Sequence, residues 1–171
     1  MSVLVYTESE KGKFKKNALE VASYASAVAK MMGTTVTAVA FNSTDNELLG
    51  DYGVSKILNV KDESLAIFNA GAYAASIAQA AKSTEAKVVI LSSSTDTKYL
   101  APLLAAKLSA GYTPNVVQAP ESTSPFMVKR TAFSNKGFAH TQIDTDIKII
   151  GVSNNAFGAH ESKTAITVEE I

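Results

Sequence analysis

The chain has 171 residues, the length of one ordinary domain, and its 46% hydrophobic and 19% charged content describes a folded chain with its own core. Sixteen basic residues balance sixteen acidic ones, which excludes partners that need many phosphates neutralised, nucleic acid above all, and a polybasic membrane anchor. With no cysteine, the chain has no thiol catalysis, zinc-thiolate site, iron–sulfur cluster or disulfide.

The first apolar β-branched run, Val3–Tyr6, reads as a buried strand. No basic stretch or cleavage site precedes it, so the expectation is no signal peptide and a cytoplasmic location. Lys11, Lys13, Lys15 and Lys16 follow. Leu19, Ala22, Ala25, Val28, Ala29 and Met32 then recur at three- and four-residue steps, which predicts a helix from about Lys15 to Met32 with Gly33 ending it. Val36–Phe41 reads as a second strand, Asp45–Gly50 as one or two helical turns, and Lys56–Val60 as a third strand. Leu65 to Lys82 predicts a second long helix, opened by Ser64 as its cap, with Ile67, Ala70, Ala74, Ile77 and Ala81 on its inner face. Lys87–Leu91 is the fourth strand. It contains the longest aliphatic run, Val88–Leu91, which is far too short to cross a bilayer, so no membrane insertion is expected. A polar loop, Ser92–Thr97, opens a third helix carrying Leu100, Leu103, Leu104 and Leu108; Gly111 lies past its end, and Pro102 predicts a kink or a tight first turn.

Strand–helix alternation to this point predicts an α/β fold: a parallel core sheet with helices on both faces, Rossmann-like or adenine-nucleotide-hydrolase-like. After Pro114, Pro120 and Pro125 the helical period is lost. Phe126–Phe133, Lys136–Ile143 and Ile147–Val152 read as antiparallel strands, the first two joined by a turn at Ser134–Gly137. The expected organisation is one domain over 1–152 and a terminal arm or linker over 153–171.

No GxGxxG, P-loop or GxSxG can be built from the glycines present. The best ligand candidate is the loop after the fourth strand. There Ser92, Ser93, Ser94 and Thr95 stand at a helix start at the carboxyl end of the sheet and could hold an anion. The plainer reading is that Thr95 or Asp96 caps the helix; Asp96 would also repel a phosphate. Glu8, after the first strand, reads as a solvated loop carboxylate with no partner for acid–base work. The lysines at 11–16 read as a solvated face or a docking patch for an acidic partner. His140 reads as a surface residue of the hairpin, and His140 and His160 have no metal-ligand spacing. Neither a catalytic residue nor a metal site is expected.

Several segments together resemble the N-terminal domain of the electron transfer flavoprotein alpha subunit. They are Val3–Glu8 with Gly12–Glu20, Asp51–Ile57, Leu65–Val89, the Lys98–Leu108 helix, and the strands from Val128–Phe133 to Lys148–Val152. Ser94–Thr97 stands where that family usually carries a glycine and a basic residue, and Leu103 where it usually has arginine. The resemblance implies a non-catalytic scaffold in flavin-mediated electron transfer that docks a beta subunit. It implies no cofactor in this chain, since FAD is held in the family mainly by a further C-terminal domain that would follow Ile171. Exposed apolar residues of the 126–143 hairpin, Phe126, Val128, Phe133 and Phe138, make that hairpin the expected interface, with the beta subunit or with a second copy. The alternative is a stand-alone small nucleotide-binding protein of universal-stress-like architecture.

Overall fold

A computed structural model describes residues 2–171. The elements in chain order begin with β1 (Ser2–Tyr6), a two-residue hairpin pair β2 (Ser9–Glu10) and β3 (Lys13–Phe14), helix α1 (Lys16–Met32), β4 (Val36–Phe41) and β5 (Lys56–Val60). Helix α2 (Ala70–Ser83), β6 (Ala86–Ser92) and helix α3 (Thr95–Leu108) complete the α/β portion. Then come β7 (Gly111–Val116), β8 (Ser122–Thr123), β9 (Phe126–Ala132), β10 (Gly137–Gln142), β11 (Lys148–Val152) and β12 (Thr167–Glu170). Short 3₁₀ turns occupy Asn46–Asp51 and Glu63–Leu65.

Ten strands form one sheet in the order β10-β9-β7-β11-β6-β1-β4-β5-β12, with β8 beside β9. From β7 to β12 every neighbouring pair is parallel, whereas β9 runs antiparallel to β7, β8 and β10. The mixed α/β fold with a largely parallel sheet and an antiparallel extension is therefore as expected. One strand differs: β11, read as antiparallel, lies between β6 and β7 and runs parallel to both. Its Ile149–Val152 run is buried on both faces, the condition of a central parallel strand. Strand β7 was hidden from the sequence by Pro114. Its pairing with β11 shifts register between Ile150 and Val152, and Asn115 there has a φ of 59°, so an irregularity absorbs the proline.

Alternate residues of each central strand feed two cores. Leu4, Tyr6, Val39, Val89, Leu91 and Ile149 pack against α2 and α3 through Ile77, Leu100 and Leu104. Val3, Val5, Val88, Ile90 and Ile150 pack with Val21, Tyr24 and Val28 of α1. One helix about 10 Å wide spans only about two strands at about 4.8 Å spacing. The rest of that face is covered otherwise. Phe126, Val128 and Ile143 cover one side, and Phe157 and Ile166 of the C-terminal segment pack against the same core. This corrects the reading of the hairpin: Phe126 and Val128 are core residues, while Phe133 and Phe138 are 84% and 60% exposed.

Helix boundaries follow the capping chemistry. Gly33 closes α1 with a φ of 64°, as expected. Ser64 does not open α2: it lies in the 3₁₀ turn Glu63–Leu65, which Asp62 caps by accepting the Ser64 N–H at 2.8 Å, and α2 starts only after Asn69, whose Oδ1 accepts the Ala72 N–H at 3.0 Å. Ile67, assigned to the inner face, is thereby left in the connection and 82% exposed. Helix α3 is capped by Ser94, whose Oγ accepts the Thr97 N–H, not by Thr95 or Asp96. It ends at Ser109 in the left-handed region. Pro102 lies within the continuous helix on an exposed face, where water can serve the carbonyl it leaves without an N–H partner. Gly111 instead opens β7, where a Cβ would stand 2.8 Å from both Ile143 and Thr145 side-chain atoms.

The segment after β11 returns across α1. The Glu20 carboxylate, 6% exposed, accepts the backbone N–H groups of Asn155, Phe157 and Gly158 at 2.8–2.9 Å. Ser23 Oγ accepts the His160 N–H at 2.8 Å, and Phe157 packs edge-on against Tyr24. The chain then pairs β12 with β5, with ion pairs from Lys56 to Glu169 and Lys61 to Glu170.

Candidate functional site

Chain direction places a crevice at the carboxyl ends of β1 and β6. From β1 the chain winds one way through α1 to β4 and β5, whereas β6 and β11 lie on the other side of β1, so the topology switches between β1 and β6. Glu8 follows β1 and Ser92 ends β6. Although 84 residues apart in sequence, Ser92 Oγ donates a short hydrogen bond to Glu8 Oε1. Asn17 Nδ2, on the first turn of α1, donates to the same oxygen at 2.9 Å, and Lys15 Nζ lies 3.8 Å from Oε2. Glu8 is 3% exposed, which overturns its reading as a solvated loop charge. Its burial is affordable because two hydrogen bonds and a cation compensate it.

The lysine cluster is divided by the β2–β3 hairpin. Lys11 and Gly12, with φ of 50° and 82°, form its two-residue turn, so Lys11 stands at the tip. Lys15 occupies the N-cap position of α1, where the buried Glu8 offsets a cation otherwise opposed by the helix dipole.

Most hydroxyls of the serine–threonine loop are committed within the protein. Ser92 serves Glu8, Ser94 caps α3, and Thr97 Oγ1 donates to the Ser92 carbonyl at 2.7 Å. Ser93 Oγ is buried without a partner among the described residues, and Thr95 is exposed. Asp96 sits in the first turn of α3 beside the crevice.

Two clefts meet at Glu8 and Lys15. One, of about 360 Å³, is lined by Tyr6, Glu8, Glu10, Lys11, Asp96 and the rings of Phe41, Phe68 and Tyr73. The other, of about 630 Å³, runs between Lys15, Asn17 and Glu20 on α1, Ser94, and Asn154–Ala159 of the C-terminal segment. Burial pushes the Tyr6 hydroxyl well above the usual tyrosine range, and the Glu8, Tyr73 and Asp96 side chains act in the same direction. Tyr6 is therefore a protonated phenol at neutral pH. His140, on β10, pairs with Glu121 at 2.9 Å, and His160 contacts the Phe157 carbonyl at 2.8 Å. Among the described residues no group of histidine and acidic side chains could hold a metal ion, and no helix is long and apolar enough to cross a membrane.

Tyr6, Asn17 and Glu20 were not picked out from the sequence as site residues. Glu20 carried a usable signal: with Ser23 and Tyr24 it is a polar group in phase with the apolar face of α1.

The model of the electron transfer flavoprotein domain matches residues 3–171. The chain belongs to the electron transfer flavoprotein family. Two curated relatives are alpha subunits of electron transfer flavoprotein. That of Syntrophomonas wolfei is 25% identical over 142 residues, covering 81% of this chain and 44% of the relative. That of Clostridium acetobutylicum is 27% identical over 114 residues, covering 65% of this chain and 34% of the relative. The chain thus spans under half the length of these curated relatives. The family membership read from the sequence is confirmed by these matches.

Proposed function

We propose that this chain acts as the N-terminal scaffold of an electron transfer flavoprotein alpha subunit, supporting flavin-mediated electron transfer by docking a beta subunit and catalysing nothing itself. The observation that carries the reading is the family match over residues 3–171 together with relatives that are alpha subunits. The antiparallel extension supplies the docking surface. Strand β10 is one edge of the sheet, opposite β12, and Phe138 and Phe133 stand exposed on it and on its turn. Lys129 Nζ lies 4.4 Å from the Phe138 ring centroid, which holds that ring in place. An edge strand beside exposed rings offers both backbone pairing and apolar burial to a partner.

In this reading the described residues hold no flavin by themselves. The experiment is co-expression with an alpha-subunit-compatible beta subunit, followed by co-purification and a visible absorbance spectrum. A stable complex that Phe138→Asp weakens supports the proposal. Failure to associate, or stoichiometric FAD on the purified chain alone, overturns it. Sedimentation of the chain alone separates beta-subunit docking from self-association through the same hairpin.

A further inference from the structure

We propose that the 360 Å³ cleft between β1, β4 and the first turn of α3 binds a small organic cation, a primary ammonium on a short apolar or aromatic body, held among Tyr6, Glu8 and Asp96, which line it. The volume falls within the range of small-ligand sites.

Tyr6 is 5% exposed, yet its hydroxyl has no hydrogen-bond partner among the described residues. Tyr6 shares the lining of this cleft with the carboxylates of Glu8 and Asp96. The residue is buried but its hydroxyl oxygen is not sealed in the core: it is left open to the cleft, where a ligand donor can complete its hydrogen bonding. The Asp96 carboxylate likewise has no hydrogen-bond or ion-pair partner among the described residues. Glu8 spends one oxygen on Ser92 and Asn17, and its other oxygen has only Lys15, at 3.8 Å. An ammonium has three donors and no acceptor, and this group of acceptors matches it.

The charges around the cleft decide against an anion. Glu8, Glu10 and Asp96 face Lys11 and Lys15, and Lys15 is already engaged with Glu8. The α3 N-terminus, which could otherwise attract a phosphate, has its cap filled by Ser94 and carries Asp96 in its first turn. The remaining walls are apolar. Phe41 and Tyr73 stack with centroids 3.8 Å apart, Tyr6 stands edge-on to both, and Phe68 stands edge-on to Tyr73. Aromatic walls suit the ligand's body and are compatible with an adjacent cation.

The site is independent of the docking surface, being separated from β10 by β9, β7, β11 and β6. The test is calorimetric titration of the full chain at low salt with benzylammonium, with benzyl alcohol as the neutral isostere and AMP as the anionic competitor. Saturable benzylammonium binding is expected, at least tenfold tighter than either control. Asp96→Asn should weaken it about tenfold and Tyr6→Phe about threefold or more, at unchanged thermal stability for Asp96→Asn, whose side chain is only partly buried. Absence of saturable benzylammonium binding, tighter binding of AMP, or affinity unmoved by both substitutions would each overturn the proposal.

Discussion

Replacing Glu20 by Gln tests whether the C-terminal segment is held by one buried carboxylate. In the wild type Oε1 accepts from Phe157 and Gly158 at 2.9 Å, and Oε2 accepts from Asn155 at 2.8 Å. Glutamine keeps one acceptor oxygen, so the Phe157 and Gly158 bonds can persist without the charge. Its amide nitrogen then faces the Asn155 N–H, donor against donor. A hydrogen bond to a charged group is worth about 1.5–3 kcal/mol, so the expected loss is about 2 kcal/mol. Glu20→Ala forfeits all three bonds, but its cost is capped by the free energy of letting the segment detach into water. Amide hydrogen exchange is the assay. A loss of about 2 kcal/mol raises local opening roughly 30-fold. Faster exchange should therefore be confined to residues 153–171 and the Glu20 turn, with β1, β6 and β11 unchanged. Unaltered protection of 153–171 in both variants would refute the latch. Uniformly faster exchange of the central strands would show that Glu20 supports the core instead.

Val128→Asp and Phe138→Asp should separate core from surface: the first buries a charge at a fully buried site and costs upwards of about 3 kcal/mol in urea unfolding, the second stays within about 0.5 kcal/mol. Pro102→Ala restores the missing N–H to the Lys98 carbonyl and should stabilise by about 1–3 kcal/mol, seen as a higher Tm; an unchanged or lower Tm would show that the proline ring contributes packing. Burial raises the Tyr6 and Tyr24 hydroxyls above the ordinary tyrosine value of about 10, so the unfolded chain releases those protons first. Their contribution to stability is complete below about pH 10 and is lost as pH rises above it, so tyrosinate absorbance from these residues should appear together with alkaline unfolding, not before it. Tyr24→Phe removes a buried hydroxyl that has no partner among the described residues, and should leave stability at neutral pH equal or higher by about 1 kcal/mol while reducing that alkaline loss.

The α/β portion was legible because its signals are local. Val36–Phe41 and Lys56–Val60 were assigned with the bounds found, and α1 within a residue, since an apolar run or a 3.6-residue stripe is complete within its own segment. Capping was less legible, because neighbouring side chains compete for the same amides. Asp62 caps a short 3₁₀ turn that contains Ser64, so Ser64 lies within that turn, and Asn69 starts α2 five residues later.

The sequence by itself determined the alternation and the two-sided helical cover, both consequences of short-range periodicity, and its segments carried the resemblance to the family that the match over residues 3–171 shows. Tertiary structure decided whatever depends on residues far apart in the chain. Strand β11 became a parallel core strand because only an interior place between β6 and β7 buries both its faces. The 153–171 segment folded back because one helix cannot cover that face of the sheet, and a Glu20 otherwise costly to bury gains three amide donors from it. Glu8 was the same kind of case. In sequence it is a lone carboxylate after a strand, and only the parallel pairing of β1 with β6 brings Ser92 onto it and makes it the floor of the crevice.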